Sequence, residues 1–303
     1  MNMHPERIRL QGDFTSVSPD GKFLTCVTRS RGSLRLVRGS RVEDWIFVWD
    51  LELNRMRHQI PCEGPVWSVV VSPDSRTILA CTKGGIARFW NAESGIFEHS
   101  LALSCDRALR GHYSPGVKHI AFICNEEEGK GTVHIYEVET KTVISVWEQP
   151  DIAINSVDWA PDRELLAIAT SRGVCLWDPI SQIEQTAWNV RVYDHDIEKP
   201  RFVSVLDVRF VDQGKKLIFN TARGMTEVYD FENNSGHRYG KMRRERKRGR
   251  SKLCTSISAP KVFVRDDNVA CSKDSTFFVT VDKRELLRIW SLRGATDDRD
   301  DIT

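Results

Sequence analysis

Six short segments of this chain end in the same kind of residue pair, an aromatic side chain followed by a small polar or acidic one. In each segment a turn comes first, an apolar run follows, and the pair closes the run. The aromatic residues are separated by steps of 41, 46, 41, 52 and 61 residues. Such repetition predicts an architecture built from one supersecondary unit used many times. The pairs are Trp49-Asp50, Trp90-Asn91, Tyr136-Glu137, Trp177-Asp178, Tyr229-Asp230 and Trp290-Ser291.

The second repeat predicts four short strands joined by tight turns. Its first turn contains Pro73, which presets φ, and Asp74, which caps its own backbone. Its second turn contains the pair Gly84-Gly85. Four strands with tight turns make one blade of a β-propeller. The predicted strands cover residues 66–71, 78–81, 86–90 and 96–101.

Repeats of this length that end in Trp-Asp resemble the WD40 family. The resemblance implies an all-β, WD40-type propeller over residues 1–303, with six clear blades; a seventh, diverged blade is the alternative. It also implies a ring closed by N-terminal and C-terminal strands, with residues 1–10 supplying the last outer strand. The six closing aromatic residues are then structural packing anchors. Two further tryptophans, Trp45 and Trp188, are less constrained and are either exposed anchors or packing residues.

The chain departs from the family pattern in its polar residues. The family's Gly-His pair occurs only as Gly111-His112 and Gly236-His237, and the second-turn aspartate only as Asp282. We therefore expect most blades to be held by packing. In the third repeat, residues 125–129 are the expected first turn.

Two stretches interrupt the period, residues 29–44 within the first repeat and residues 233–262 between the fifth and sixth. The second contains a basic arm, residues 241–252, with eight of the 44 cations and one of the 42 acids. Without the arm the chain is acidic. Three interpretations remain open for it: a solvated loop, a nuclear import signal, or a segment that binds nucleic acid or an anionic surface by neutralising phosphates. Its basic residues include Arg243, Arg244, Arg246, Lys247 and Arg248.

The turns between the second and third strands each carry a cation, where the family often has aspartate. In a WD40 ring these turns share one face, so we expect a cationic face that binds an acidic or phosphorylated partner or RNA. The alternative is a merely solvated surface, because turns are polar in any protein. The expected face consists of Lys83, Lys130, Arg172, Arg223 and Arg284.

Catalytic motifs are absent from the sequence: it has no GxSxG, HExxH, GxxxxGK[ST] or GxGxxG. Eight dispersed cysteines without a CxxC pair indicate a reducing compartment and no zinc site. We therefore expect no cofactor or metal and no enzymatic activity. The expected function is a protein-interaction scaffold in the cytoplasm or nucleus, not secreted and without a membrane span. A nuclear RNA-associated subunit that uses residues 241–252 is the alternative; the oligomeric state stays open.

Overall fold

The computed structural model describes residues 13–28, 43–105, 108–125, 130–189, 191–192, 201–222, 225–239, 269–271, 277–281 and 287–291. These residues form 25 β-strands and no helix. They divide between two compact units. The first unit consists of residues 1–127 and 136–142, and the second of residues 128–135 and 143–303.

The first three sheets have four strands each, in an antiparallel meander that follows chain order. The first sheet contains β1 (Asp13–Val17), β2 (Phe23–Thr28), β3 (Glu43–Asp50) and β4 (Arg55–Glu63). The second contains β5 (Val66–Val71), β6 (Thr77–Thr82), β7 (Ile86–Asn91) and β8 (Phe97–Ala102). The third contains β9 (Ala108–Tyr113), β10 (His119–Asn125), β11 (Gly131–Glu137) and β12 (Thr142–Gln149).

The later sheets repeat the pattern. The fourth contains β13 (Ile154–Trp159), β14 (Leu166–Thr170), β15 (Gly173–Asp178) and β16 (Ile183–Asn189). A two-stranded hairpin follows, β17 (Arg191–Val192) with β18 (Arg201–Phe202). The fifth sheet contains β19 (Val205–Val211), β20 (Lys216–Thr221), β21 (Thr226–Asp230) and β22 (Ser235–Tyr239). The sixth has three described strands, β23 (Val269–Cys271), β24 (Phe277–Val281) and β25 (Leu287–Ser291).

The six sheets coincide with the six predicted repeats, and the all-β prediction is confirmed. Seven blades and ring closure stay predictions, since residues 1–12 and 292–303 lie outside the described residues. Two predicted boundaries differ from the structure. Strand β3 begins at Glu43, inside the expected 29–44 insertion, whose remaining residues are not described. Strand β22 occupies residues 235–239, so the expected 233–262 insertion begins with an outer strand.

The interior lies between neighbouring sheets. Every residue of β14 is buried, whereas β16, two strands further out, is almost entirely exposed. Apolar side chains of the first and second sheets form one buried cluster that includes Ile46, Val69 and Ile78. Since burial of apolar area is the main favourable term in folding, each sheet is stabilised by its neighbour. The strands thus grade from inner apolar to outer polar, as the repeats predicted.

A serine fixes the first turn of three sheets. Ser18, Ser72 and Ser114 each accept, through Oγ, the N–H of the residue five positions later, at 3.0, 2.9 and 3.0 Å. Their own N–H groups donate to the carbonyl of that same later residue. The turn of the third sheet is therefore residues 114–118, and the prediction of residues 125–129 as its first turn was wrong. Residues 126–129 follow β10 and belong to its second connection.

In four of the sheets, the polar residue after the closing aromatic caps the third turn. Asp50 Oδ1 accepts the N–H groups of Glu52 and Leu53 at 3.0 and 2.8 Å. Asn91, Asp178 and Asp230 each bind two such N–H groups in the same way. A short side chain with a terminal oxygen is required for this Asx turn. The aromatic-acid pair thus combines a packing residue with a turn cap.

The fourth residue after that cap has a left-handed backbone in five sheets. Its φ lies between 48° and 70°, a region that L-residues other than asparagine and aspartate rarely occupy. The shared conformation shows that the five turns have one geometry despite different sequences. The residues are Asn54, Gly95, Lys141, Gln182 and Asn234.

The closing aromatic residues differ in burial. Trp90, Tyr136 and Trp177 are 4%, 1% and 3% exposed, whereas Trp49 and Tyr229 are half-buried. Tyr136 packs edge-on against Phe122, at 6.2 Å between ring centroids. Its hydroxyl lies 3.2 Å from Nε2 of His99. Trp290 lies in β25, but its side chain is outside the described residues.

The two Gly-His pairs lie within strands, and Gly111 has a packing role. It is in β9 of the third sheet, where a Cβ would lie 2.6 Å from Leu79 Cδ2 and 3.1 Å from Phe122 Cε1. Any larger residue would separate the second and third sheets. Gly236 lies in the outer strand β22.

A polar network joins the innermost strands β13 and β19 in the second unit. Ser156 Oγ donates to Asp207 Oδ1 at 2.6 Å, and Phe210 N–H donates to Asp158 Oδ2 at 2.7 Å. The Arg209 guanidinium lies 3.6 Å from Asp158 and 3.7 Å from Asp207. Burial raises the pKa of Asp158 to about 6, and Arg209 only partly offsets this effect. The site therefore holds a proton on Asp158 more tightly than water does, although the carboxyl is still mainly ionised at neutral pH.

We expect Trp177→Ala to lower the free energy of unfolding by about 3–5 kcal/mol, the range for a large buried aromatic residue. The matched change Trp49→Ala should lower the free energy of unfolding by about half as much. The Trp49 side chain is partly exposed in the folded protein, so its removal loses less buried apolar area. Urea denaturation followed by far-UV circular dichroism measures both values. Equal losses would contradict the packing role inferred from burial.

The raised pKa of Asp158 predicts a pH-dependent stability. The folded protein binds this proton more tightly than the unfolded chain, whose aspartate pKa is about 3.9. Stability contributed by Asp158 is therefore present below pH 4 and is lost as the pH rises towards 6. Asp158→Asn should gain about 2 kcal/mol relative to wild type between pH 4 and pH 7.5. Denaturation at several pH values measures the difference; parallel pH profiles would refute the assignment.

Candidate partner-binding surface

Three residues of the expected cationic face are described, and each has its own local environment. Lys83 is exposed in the turn between β6 and β7. Lys130 precedes β11, and its Nζ lies 3.1 Å from Glu148 Oε2. The Arg172 guanidinium, in the turn after β14, lies over the ring of Phe202 at 5.6 Å.

The other expected binding residues lie outside the described residues: Arg223, Arg284, Arg243, Arg244, Arg246, Lys247 and Arg248. The cationic face and the basic arm therefore stay predictions.

A groove of about 910 Å³ lies between the outer part of the first sheet and the second sheet, within the first unit. Consecutive residues of β4 form one wall. Since successive residues of a strand point to opposite faces, the groove follows the edge of this outer strand. The lining residues are Trp45, Arg57, His58, Gln59, Ile60, Pro61, Glu63, Arg88, Trp90, Ser94, Gly95 and Phe97.

Aromatic rings form the apolar part of the groove. Trp90 is buried and meets Phe97 edge-on, with 6.0 Å between ring centroids. Phe97 is 47% exposed, and Trp45 is half-buried. From the sequence, Trp45 and Trp188 had the same two interpretations, an exposed anchor or a packing residue. In the structure, Trp45 lines this groove and Trp188 does not. Trp188 packs in the second unit against Tyr229, at 4.9 Å between ring centroids.

The β7–β8 turn positions one rim of the groove. The His58 ring lies against Gly95, where a Cβ would be 2.8 Å from the imidazole Cγ. Its Nε2 is 2.6 Å from the carbonyl oxygen of Glu93. Gly95 is therefore required twice, for its φ of 70° and for the space that the imidazole occupies. The histidine thereby connects the outer strand β4 to the second sheet.

Two arginines supply positive charge along the wall. Arg57 Nη2 donates to Asp50 Oδ2 at 2.9 Å, and its guanidinium lies 5.5 Å from the centroid of the Phe23 ring. The hydrogen bond from Leu53 N–H, followed by the one from Arg57, lowers the pKa of Asp50. Arg57 is thus held in place by the carboxylate that also caps the third turn of the first sheet.

Arg88 has the more exposed carboxylate partner of the two arginines, although its own side chain is only 17% exposed. Its Nη2 donates to Glu63 Oε2 at 2.8 Å, and Glu63 is 68% exposed. Its Nε is buried and has no hydrogen-bond partner among the described residues. Because an exposed ion pair contributes little energy whereas a buried unpaired donor is costly, an added acceptor at Arg88 would be favourable.

Sequence reasoning missed this groove because its residues come from separate strands of two repeats. The alternation in β4 of charged, polar and apolar residues signals only an outer strand. Within the described residues, no three histidine, cysteine or acidic side chains gather as a metal site. No helix in the described part of the chain is long and apolar enough to cross a membrane.

Comparison with known proteins agrees with the repeat structure. The family described as "WD40: WD domain, G-beta repeat" matches residues 54–91 and 141–178. Each match covers the outer strand of one sheet and the first three strands of the next: β4 to β7 and β12 to β15. The repeat unit of the family is therefore offset by one strand from the four-stranded sheet of the structure.

Two curated proteins are similar to parts of the chain. WD repeat-containing protein 26 homolog of Arabidopsis thaliana is 23% identical over 193 residues, which cover 58% of this chain and 30% of the relative. WD repeat-containing protein SL1-17 of Schistosoma mansoni is 28% identical over 137 residues, covering 45% and 44%. The chain thus spans less than half the length of either relative. The repeats, the sheets and these matches support the resemblance of the chain to WD40-repeat proteins.

Proposed function

We propose that this chain is a non-catalytic interaction scaffold that binds an extended segment of a partner protein in the groove beside β4. WD40-repeat proteins generally act as protein-interaction scaffolds, and neither similar protein carries an enzymatic name. The observation that carries the proposal is the groove itself, which combines exposed aromatic surface with a partly unsatisfied arginine.

The chemistry of the groove favours one class of segment. An apolar or aromatic side chain fits between Trp45 and Phe97, where it gains from burial and ring contact. A neighbouring carboxylate fits Arg88, where it replaces Glu63 and accepts from the guanidinium at Nη2. The preferred ligand is thus an extended peptide with an apolar residue close to an acidic one.

Recognition by side chains suits this groove better than addition of a fifth strand. Pro61 lies within β4 and has no N–H to donate to an incoming strand. The side chains, in contrast, are held before binding: His58 by Glu93, Arg57 by Asp50, and Arg88 by Glu63. Groups that are already ordered lose less entropy when a ligand arrives.

RNA is the less favoured occupant of the groove. The groove lining holds two arginines and one glutamate, whereas RNA binding relies on several cations that neutralise phosphates. The alternative of an RNA-associated subunit depends instead on residues 241–252, whose sequence carries eight cations and one acid. It is kept as a second candidate on that charge alone.

The groove proposal predicts which peptides the chain selects. Panning of a random peptide phage library on the immobilised chain should enrich sequences with an apolar residue near an acidic one. For the selected peptides, Phe97→Ala and Arg88→Gln should each weaken binding at least about tenfold, the size expected for an interface anchor. Fluorescence polarisation with the synthetic peptide measures the affinities.

Ile183→Ala is the matched control, because Ile183 is an exposed apolar residue at the start of an outer strand in another sheet. It should leave peptide affinity unchanged. Circular dichroism verifies that each variant remains folded. Selected peptides that bind Phe97→Ala, Arg88→Gln and wild type equally would contradict the groove as the binding site.

Deletion of residues 240–251 separates the two candidates. The proposal predicts unchanged peptide affinity, since no groove residue lies in this segment. A labelled single-stranded RNA serves as the second probe. RNA binding that is tight at physiological salt, falls steeply with added salt and disappears on deletion would favour the RNA-associated alternative.

A further inference from the structure

Two cysteine thiols lie against each other at the junction of the second and third sheets. Cys105 follows the outer strand β8, and Cys124 lies near the end of β10. Their Sγ atoms are 2.6 Å apart. An S–S bond is about 2.05 Å long, so closure requires a movement of only about half an ångström.

The segment that carries Cys105 is held in this place by a close backbone contact. Leu103 N–H donates to Gly85 O at 2.7 Å, and Cys105 N–H donates to Leu103 O at 2.7 Å. A Cβ on residue 85 would lie 1.9 Å from the Cys105 carbonyl oxygen. Only glycine admits this approach, and the turn in which it lies also carries Lys83.

The two thiols differ in access to solvent. Cys124 is fully buried, whereas Cys105 is partly exposed, so a small oxidant reaches Cys105 first. Cys81 belongs to the same apolar cluster but is fully buried, and burial raises its pKa to about 12. Since the thiolate is the reactive form, Cys81 is a poor competitor.

We propose that Cys105 and Cys124 are a modification site that forms a reversible disulfide on exposure to hydrogen peroxide. The Cys105 thiolate attacks one peroxide oxygen, the O–O bond breaks, and Cys105 sulfenic acid and water form once the released hydroxide takes up a proton. The Cys124 sulfur then attacks the sulfenic sulfur, the S–O bond breaks, and a second water leaves with the Cys124 proton. Overall, two thiols and one peroxide become one disulfide and two waters, and a dithiol reductant reverses the change.

The bond would join the connection between β8 and β9 covalently to β10. Because the Cys105 carbonyl packs against Gly85, the disulfide would also restrict movement of the β6–β7 turn. Transient disulfides of this kind are compatible with a reducing compartment. The proposal is independent of what the groove binds.

Peptide mapping tests the site directly. Trypsin cleaves after Arg107 and Lys118, so Cys105 and Cys124 fall in different peptides with one cysteine each. The folded chain is treated with hydrogen peroxide, alkylated under denaturing conditions and digested without reduction. We expect loss of alkylation at both cysteines and a new species in which the two peptides are joined, which dithiothreitol separates.

Each of Cys105→Ser and Cys124→Ser should abolish the joined species. In the same digest the peptides of Cys62 and Cys175 should stay fully alkylated, because both thiols are buried and burial raises their pKa. Oxidation of Cys105 to the sulfinic acid without a joined peptide would overturn the proposal. So would a joined species between Cys105 and Cys81.

Discussion

Apolar packing between neighbouring sheets is the interaction on which the other features of this structure depend. A sheet of four short strands cannot bury enough surface alone. The second sheet contributes to two clusters, with Ile78 and Trp90 in one and Leu79 and Phe89 in the other. This two-sided burial explains why the middle strands are apolar at successive positions. It also explains why Gly111, which lets two sheets approach, sits in a strand.

Hydrogen bonds of polar groups then fix the conformations of the turns, which apolar packing does not determine. Serine Oγ atoms close the first turns, and the acid or amide after each closing aromatic closes the third. The family's usual polar network is sparse in this sequence, and these local turn bonds are present in its place. In the second unit, Ser156 and Asp158 add polar links between inner strands. These local bonds therefore add to the packing that we expect to hold most blades.

The groove and the cysteine pair both arise where one repeat meets the next. Arg88 and Glu63 belong to different sheets, as do Cys105 and Cys124. In each case the two partners are brought together by the stacking of sheets, and a glycine allows a close approach nearby: Gly95 beneath His58, Gly85 beneath the Cys105 carbonyl. Junctions between repeats are thus the places where this fold builds specific chemistry.

The sequence by itself determined the number of described repeats, the all-β class, the strand order and the packing role of the closing aromatic residues. These features depend on residues close together in the chain, such as Trp177 and Asp178. Only the tertiary structure decided which tryptophan meets a groove, Trp45 or Trp188, and which thiols touch. The periodicity of one repeat does not specify which side chains of the neighbouring repeat face it. The contacts Cys105–Cys124 and Trp188–Tyr229 join residues 19 and 41 positions apart and exist only after the sheets have stacked.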